Sequence, residues 1–243
     1  MIKPGMDLAD VILDGMERAR LELMDGDIVV LAQKIVSKSE NRLVDLNCVE
    51  PSARAVRIAQ EIDKDARLVE LILGESNEVL RTRVGTIVVE HRLGFVCANA
   101  GIDHSNVAGE GGVGGDWVLL LPEDPDKSAE DLRARLNALT GAQVGVMIID
   151  SHGRAWRQGT VGVAIGLSGL PGLLDLRGKP DLFGFTLRVT TVGVGDELAA
   201  AASLLMGQAA EGTPVVHVRG FPYPLAEGSL KELLRPKEMD LFR

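Results

Sequence analysis

The run VGVMIID at 144–150 constrains the fold more than any other segment. It is an unbroken apolar stretch with β-branched residues, and it is strand-sized. It therefore predicts a buried strand that closes on the carboxylate of Asp150. TVGVAIG at 160–166 and IVVLA at 28–32 have the same character. TIVVE (86–90), FVCAN (95–99), WVLLL (117–121) and PVVHVRG (214–220) complete the strand candidates.

Helical periodicity appears between them. Asp7 can cap a helix carrying Leu8, Val11, Ile12, Met16, Ala19 and Leu23 on one side, ended by DGD at 25–27. One helix is expected after Pro51, with Val56, Ala59, Ile62, Ala66, Val69 and Ile72 inward. PEDPDKS at 122–128 reads as a connection into a helix bearing Leu132, Leu136 and Leu139, with Gly141 at its C-terminal cap. Asp196 is placed to cap ELAAAASLLMG, and the stretch after Pro222 reads as a surface tail. Helices and strands mix without strict βαβ alternation, so the class expected is α+β.

A chain of 243 residues corresponds to one large domain or two small ones at about 150 residues each. Aromatics are only 3% of the residues, so the core must rest on Val, Leu, Ile and Ala. A net charge of −9 argues against a nucleic-acid partner, which needs a basic face. A small anionic ligand needs only a local basic pocket. Cys48 and Cys97 are the only cysteines, which excludes a disulfide framework and a Cys-rich zinc site and fits a reducing cytoplasm. MIKPGMDLADVI has no apolar leader core, and no stretch approaches the roughly 20 apolar residues of a membrane span.

GEGGVG matches the dinucleotide pattern at Gly109, Gly111 and Gly114, but polar GIDHSN precedes it and strand-like DWVLLLP follows. That context is the reverse of a nucleotide-binding strand–turn–helix, so the segment reads as a glycine loop, and a nicotinamide-dependent oxidoreductase would rest on it alone. In GIDHSN (101–106), Asp103 and Asn106 fall in a polar loop after an apolar strand, as hard-cation and nucleotide ligands would, or as an Asx-type turn would. In IIDSHGRAWRQG (148–159), Asp150 and Ser151 close a strand with Arg154 and Arg157 nearby. Asp103 and Asp150 both end apolar strands and could share one Mg²⁺ or Mn²⁺. His104 and His152 lack partners at ligand spacing, which favours solvated or hydrogen-bonding roles. In AQKIVSK (32–38), Lys34 and Lys38 could serve phosphates or simply be surface lysines, and Gln208 in MGQAAEGTP (206–214) could face a site or merely follow a helix end. Cys97 has no base at hand and reads as a small core residue.

Taken in order, IKPGMDL, AQKIVSKSENRLVDL, CANAGIDHSNV, MIIDSHGRAWRQGTVGVAIG, LLDLRG (173–178), DELAAAASLLMGQ and GTPVVHVRG resemble the coenzyme F420-0:L-glutamate ligase family, the γ-glutamyl ligases of deazaflavin coenzyme biosynthesis. The resemblance runs from about residue 2 to about residue 220. It implies one ligase region over 1–243 in two α+β lobes, an intertwined homodimer, and no appended flavin-binding domain. The activity implied is GTP-dependent addition of L-glutamate to coenzyme F420-0, and to F420-1 as a further acceptor, through an acyl phosphate. Alternatives are a same-family amide ligase acting on another acid, or a nucleotide-binding protein without ligase activity. By motif position, Asp103 and Asp150 would hold one divalent metal, and Ser151 and Gln208 a second, with K⁺ as a monovalent companion. Gln33, Lys34, Lys38 and Asn106 would contact GTP. Met206, Gly207, Gln208, Ala209, Ala210, Glu211, Gly212 and Thr213 would wrap it. The family's nucleotide-contacting segment before IKPG is mostly absent from a chain read from Met1. The implied chemistry needs charge neutralisation and positioning rather than a nucleophilic side chain.

Overall fold

The structure, a computed structural model, describes residues 1–107 and 116–241. The glycine loop with Gly109, Gly111 and Gly114 lies outside the described residues. In chain order the first half comprises α1 (Leu8–Ala19), β1 (Ile28–Ala32), α2 (Gln33–Ser39), β2 (Leu43–Asp45), α3 (Ala53–Ile62), α4 (Ala66–Gly74), β3 (Ser76–Arg83), β4 (Thr86–His91), β5 (Val96–Ala98) and β6 (Trp117–Leu119). There follow α5 (Pro125–Thr140), β7 (Gly145–Gly153), β8 (Thr160–Ser168), β9 (Leu174–Asp175), β10 (Thr191–Val192), α6 (Val194–Met206), β11 (Val215–Val218) and α7 (Leu230–Leu233). The class is α+β.

The main sheet has the order β11-β1-β7-β8, with β1 and β7 parallel and the outer strands antiparallel to their neighbours. Val29 and Leu31 of β1, with Val146 and Ile148 of β7, pack on the face carrying α1 and α5. Ile28, Val30, Met147 and Ile149 pack on the other face, with Ala199 and Ala202 of α6. Both faces are covered, so every position must be apolar, which is why these strands read as unbroken runs. Two glycines of β8 admit the helices. A Cβ on Gly162 would fall 2.5 Å from Ser203 Cβ, and one on Gly166 would fall 2.4 Å from the Pro125 backbone.

A second core lies between α3, α4 and the antiparallel sheet β3-β4-β5, and holds Ile62, Val69, Ile72, Ile87, Val89 and the buried Cys97. Phe95 packs against this core and against the α1/α5 face of the main sheet. The pair β9–β10 forms the base of an arm, continued by bonds between Gly178 and Leu187 and between Asp181 and Phe185. Leu182 and Phe183 at its tip are 98% and 95% exposed.

Several elements depart from the sequence expectation. Arg20 adopts a left-handed cap (φ 58), so α1 stops at Ala19 and leaves Leu23 outside. The single helix expected after Pro51 is two, because Asp63 is left-handed (φ 54) and Asp65 caps a new start by accepting the Arg67 N–H. Helix α5 begins at Pro125, inside the expected connection, because Asp124 caps it with proline in the first turn. Asp196 is not a cap. Helix α6 starts two residues earlier, and the Asp196 carboxylate accepts the Ala164 N–H at 3.0 Å. The stretch after Pro222 is more than surface: Leu230 is buried, and Asp126 accepts its N–H and that of Leu167. Among the described residues no helix is long and apolar enough to cross a membrane.

Candidate active site

Because β1 and β7 run parallel, their carboxyl ends emerge on one edge of the sheet. The register Ala32↔Ile149 places Gln33 and Asp150 next to each other there. Such an edge is where open sheets of this kind present ligand-binding side chains. The buried Gln33, at the start of α2, donates from Nε2 to Asp103 Oδ2 at 2.6 Å and accepts from Ser37 Oγ at 2.9 Å. Lys34 Nζ lies 3.2 Å from Asp103 Oδ1 and donates to Ser105 Oγ at 2.9 Å. Lys38 donates to the Asn106 carbonyl at 2.7 Å, and Asn106 Nδ2 donates to the Ala209 carbonyl at 3.1 Å.

Asp103 does not close a turn on its own loop. Its N–H and carbonyl are paired with Leu119, and its carboxylate points to α2. Burial pushes this carboxyl above the ordinary aspartate range; the Lys34 charge opposes the rise and the nearby Asp150 carboxylate adds to it. Burial and the charge of Lys34 draw the Lys38 ammonium below its usual value, with Asp103 acting the other way. Two ammonium groups and two carboxylates thus share one small volume.

Side chains alternate along β7. Asp150 and His152 leave one face, and His152 Nε2 sits 3.0 Å from Asp150 Oδ2. Ser151 leaves the other face, toward α6, where its hydroxyl donates to Gln208 Oε1 at 2.9 Å. Gln208 Nε2 in turn donates to Ser203 Oγ at 3.0 Å. The chain leaves α6 at Gly207, whose φ of 72 favours glycine.

Beyond it, Ala209 N–H donates to the Glu211 carboxylate at 2.7 Å. That bond, with the backbone N–H groups of Glu211, Gln208 and Ala210, holds the carboxyl below its ordinary value. Gly212 is left-handed, and Thr213 Oγ1 donates back to the Met206 carbonyl at 2.9 Å. The segment 206–213 therefore touches Ser151 at one point and Asn106 at another. Met206 differs from its neighbours: its side chain is buried in the core under α6, so only its backbone is available to a ligand.

Sequence reasoning missed Ser105 and Ser203, whose small hydroxyls carry no spacing signal. The hydrogen-bonding role expected of His152 holds, since a two-residue offset in the strand puts it beside Asp150. His104 is exposed, and Arg154 closes its own turn by donating to the Gly159 carbonyl at 3.1 Å.

The sequence profile of the F420-0:Gamma-glutamyl ligase family matches residues 1–220. The chain belongs to that family. It is 47% identical to the coenzyme F420:L-glutamate ligase of Methanothermobacter thermautotrophicus, over 100% of this chain and 95% of that protein. It is also 47% identical to the Methanopyrus kandleri protein of the same name, over 100% and 93%. The Archaeoglobus fulgidus protein of that name is 45% identical, over 100% and 92%.

In this γ-glutamyl ligase family member, the donors at the sheet edge are oxygens: the carboxylates of Asp103 and Asp150, the Ser151 hydroxyl and the Gln208 amide oxygen. Among the described residues no group of three or more His, Cys, Asp or Glu gathers as a metal site. The oxygen set, with the Asp150 carboxylate close enough to disfavour the charge of Asp103, suits a hard divalent cation whose remaining ligands come from phosphate or water. A cleft of about 510 Å³ opens behind α2, between Val36, Ser39 and the start of α5, but none of these site residues lines it.

Proposed function

We propose that this chain is a GTP-dependent ligase that joins the amine of L-glutamate to the carboxylate of coenzyme F420-0 as an amide, and that adds a further glutamate to F420-1 through a γ-glutamyl bond. The observation that carries the reading is the convergence of Lys34, Lys38, Asp103 and Asp150 at the carboxyl ends of two parallel strands. The relatives' names supply coenzyme F420 and L-glutamate, and the family's name supplies F420-0 as the acceptor.

In the first step the acceptor carboxylate oxygen bonds to the γ-phosphorus, the bond to the β-phosphate oxygen breaks, and GDP leaves. In the second step the amine of glutamate attacks the acyl carbon, phosphate departs, and the amine proton passes to solvent. Lys34 and Lys38 bind and align the phosphates, and the Gln33 amide keeps Asp103 in place. The backbone N–H groups of 208–211, now gathered on the Glu211 carboxylate, can serve a phosphate oxygen equally well. Divalent Mg²⁺ or Mn²⁺, held by Asp103 and Asp150 and at a second position by Ser151 and Gln208, would neutralise the developing phosphate charge. K⁺ is proposed as a monovalent companion.

The protein acts in this reading as a cytoplasmic homodimer of two-lobed subunits. The arm at 173–190 supports a second copy, since its apolar tip has no cover among the described residues. The test mixes the protein with GTP, Mn²⁺ and glutamate, with and without F420-0. GDP release that requires F420-0 is expected. Release driven by a different acid would move the substrate while keeping the ligase. Tight GTP binding without turnover on any acid would overturn the ligase in favour of a nucleotide-binding protein.

A further inference from the structure

We propose that His152 is a positioning residue, whose Nε2–H fixes the Asp150 carboxylate for cation binding and whose ring is braced across the subunit by Phe95. The proposal rests on Asp150 being a cation ligand, and its test separates the two ideas.

An ionised carboxylate only accepts hydrogen bonds, so the 3.0 Å contact to Asp150 Oδ2 requires the hydrogen on His152 Nε2. Both side chains are nearly enclosed, at 10% and 14% exposure, so the bond is little diluted by water. A lone carboxylate on a strand rotates about its terminal torsion, and a bond to one oxygen removes that freedom. Carboxylate ligands held by an outer donor in this way bind metal more tightly than loose ones.

The imidazole is itself confined. Its ring lies 5.1 Å from the ring of Phe95, tilted by 50°. The ring of Phe95 also stacks on His91, at 5.1 Å and 8°. His91 is fully buried, and its Nδ1 accepts the Leu93 N–H at 3.0 Å. Phe95 packs against both hydrophobic cores, so the three rings form a row from the second core to the end of β7. The second core thereby helps set the orientation of a ligand that belongs to the main sheet.

The test is direct Mn²⁺ binding by the full chain without nucleotide, read from the electron paramagnetic resonance signal of free Mn²⁺. His152→Phe keeps a ring and removes the donor, and should raise the Mn²⁺ dissociation constant about 10–100-fold. His152→Gln carries an amide nitrogen at the reach of Nε2, and should recover most of the loss. In turnover, His152→Phe should raise the KM for Mn²⁺ far more than it lowers kcat at saturating Mn²⁺. If His152→Phe does not fold, as judged by circular dichroism, His152→Asn replaces it, because its amide is too short to reach Asp150. Parent-like Mn²⁺ affinity in the donor-less variant, with binding abolished by Asp150→Asn, would overturn the positioning role and leave the cation site standing. An absence of Mn²⁺ binding in the parent would overturn both.

Discussion

Asp103 is held by two side chains from a single turn of α2, Gln33 and Lys34, and its loop is tied to the same helix through Lys38 and Asn106. This cross-linking places a carboxylate, two ammonium groups and an amide against the end of β7 with little freedom to rearrange. Asp150→Asn keeps the size of the side chain and removes its charge. If loss of an outer partner costs about 10–100-fold, loss of the ligand charge itself should cut GDP release by more than about 100-fold, with the circular dichroism spectrum unchanged. Near-parental turnover at ordinary Mg²⁺ or Mn²⁺ would remove Asp150 from the site. Lys38→Ala should raise the KM for GTP about tenfold, the scale of one charge-assisted hydrogen bond, and change the KM for glutamate much less. Equal changes in both constants would return Lys38 to the surface. Asp103, Asn106, Asp150 and Ser151 were legible because each follows an apolar run, although β7 continues past Asp150 and Ser151 to Gly153. Ser105 and Ser203 were not, since nothing but the folded chain brings them to Lys34 and Gln208.

At the scale of elements, strands with an apolar run announce themselves and polar edge strands do not. β1, β4, β5, β6, β7, β8 and β11 read directly from the sequence. β3, with SNEVLRTR at the edge of its sheet and mostly exposed, has too few apolar residues to show. The break between α3 and α4 depends on one left-handed aspartate, which helical periodicity passes over. Close packing at β8 yields a stability prediction. Gly166→Ala would drive a Cβ into the Pro125 backbone, which cannot swing aside, and should cost about 1–3 kcal/mol in denaturant unfolding. An unchanged midpoint would mean that α5 can retreat from the sheet.

Glu75, at the end of α4, offers a pH test. Burial works against its ionisation, but the His91 ring, Arg92 and Arg42 around it hold its pKa down to about 2. A depressed folded-state pKa stabilises the fold above the unfolded glutamate value of about 4.3, and that stability is lost as pH falls from there toward the folded value. Glu75→Gln should therefore be less stable than the parent at neutral pH, with the gap closing on acidification through that window. A gap that stays constant down to the acid end would place the effect in packing instead of charge.

For the whole molecule, the family resemblance was legible because its AQKIVSK, GIDHSNV, IIDSHG and LLMGQ motifs meet at one edge of the main sheet. The arm at 173–190 was not visible as an arm, because its tip is apolar and looks in sequence like any short buried stretch. Its exposed Leu182 and Phe183 underlie the proposed dimer. Light scattering at micromolar concentration should give twice the subunit mass, and Leu182→Asp with Phe183→Asp should give a folded monomer. A parent that is already a monomer at full activity would exclude a site completed by a second copy.

In the proposed reaction, phosphoryl transfer to the acceptor carboxylate precedes amide formation, so hydroxylamine should intercept the activated acid. With GTP, Mn²⁺ and F420-0 present and glutamate withheld, hydroxylamine should capture the acyl phosphate as a hydroxamate, and Asp103→Asn should suppress the product. Glutamate- and acceptor-dependent GDP release that never yields a hydroxamate under any of these conditions would contradict a free acyl phosphate.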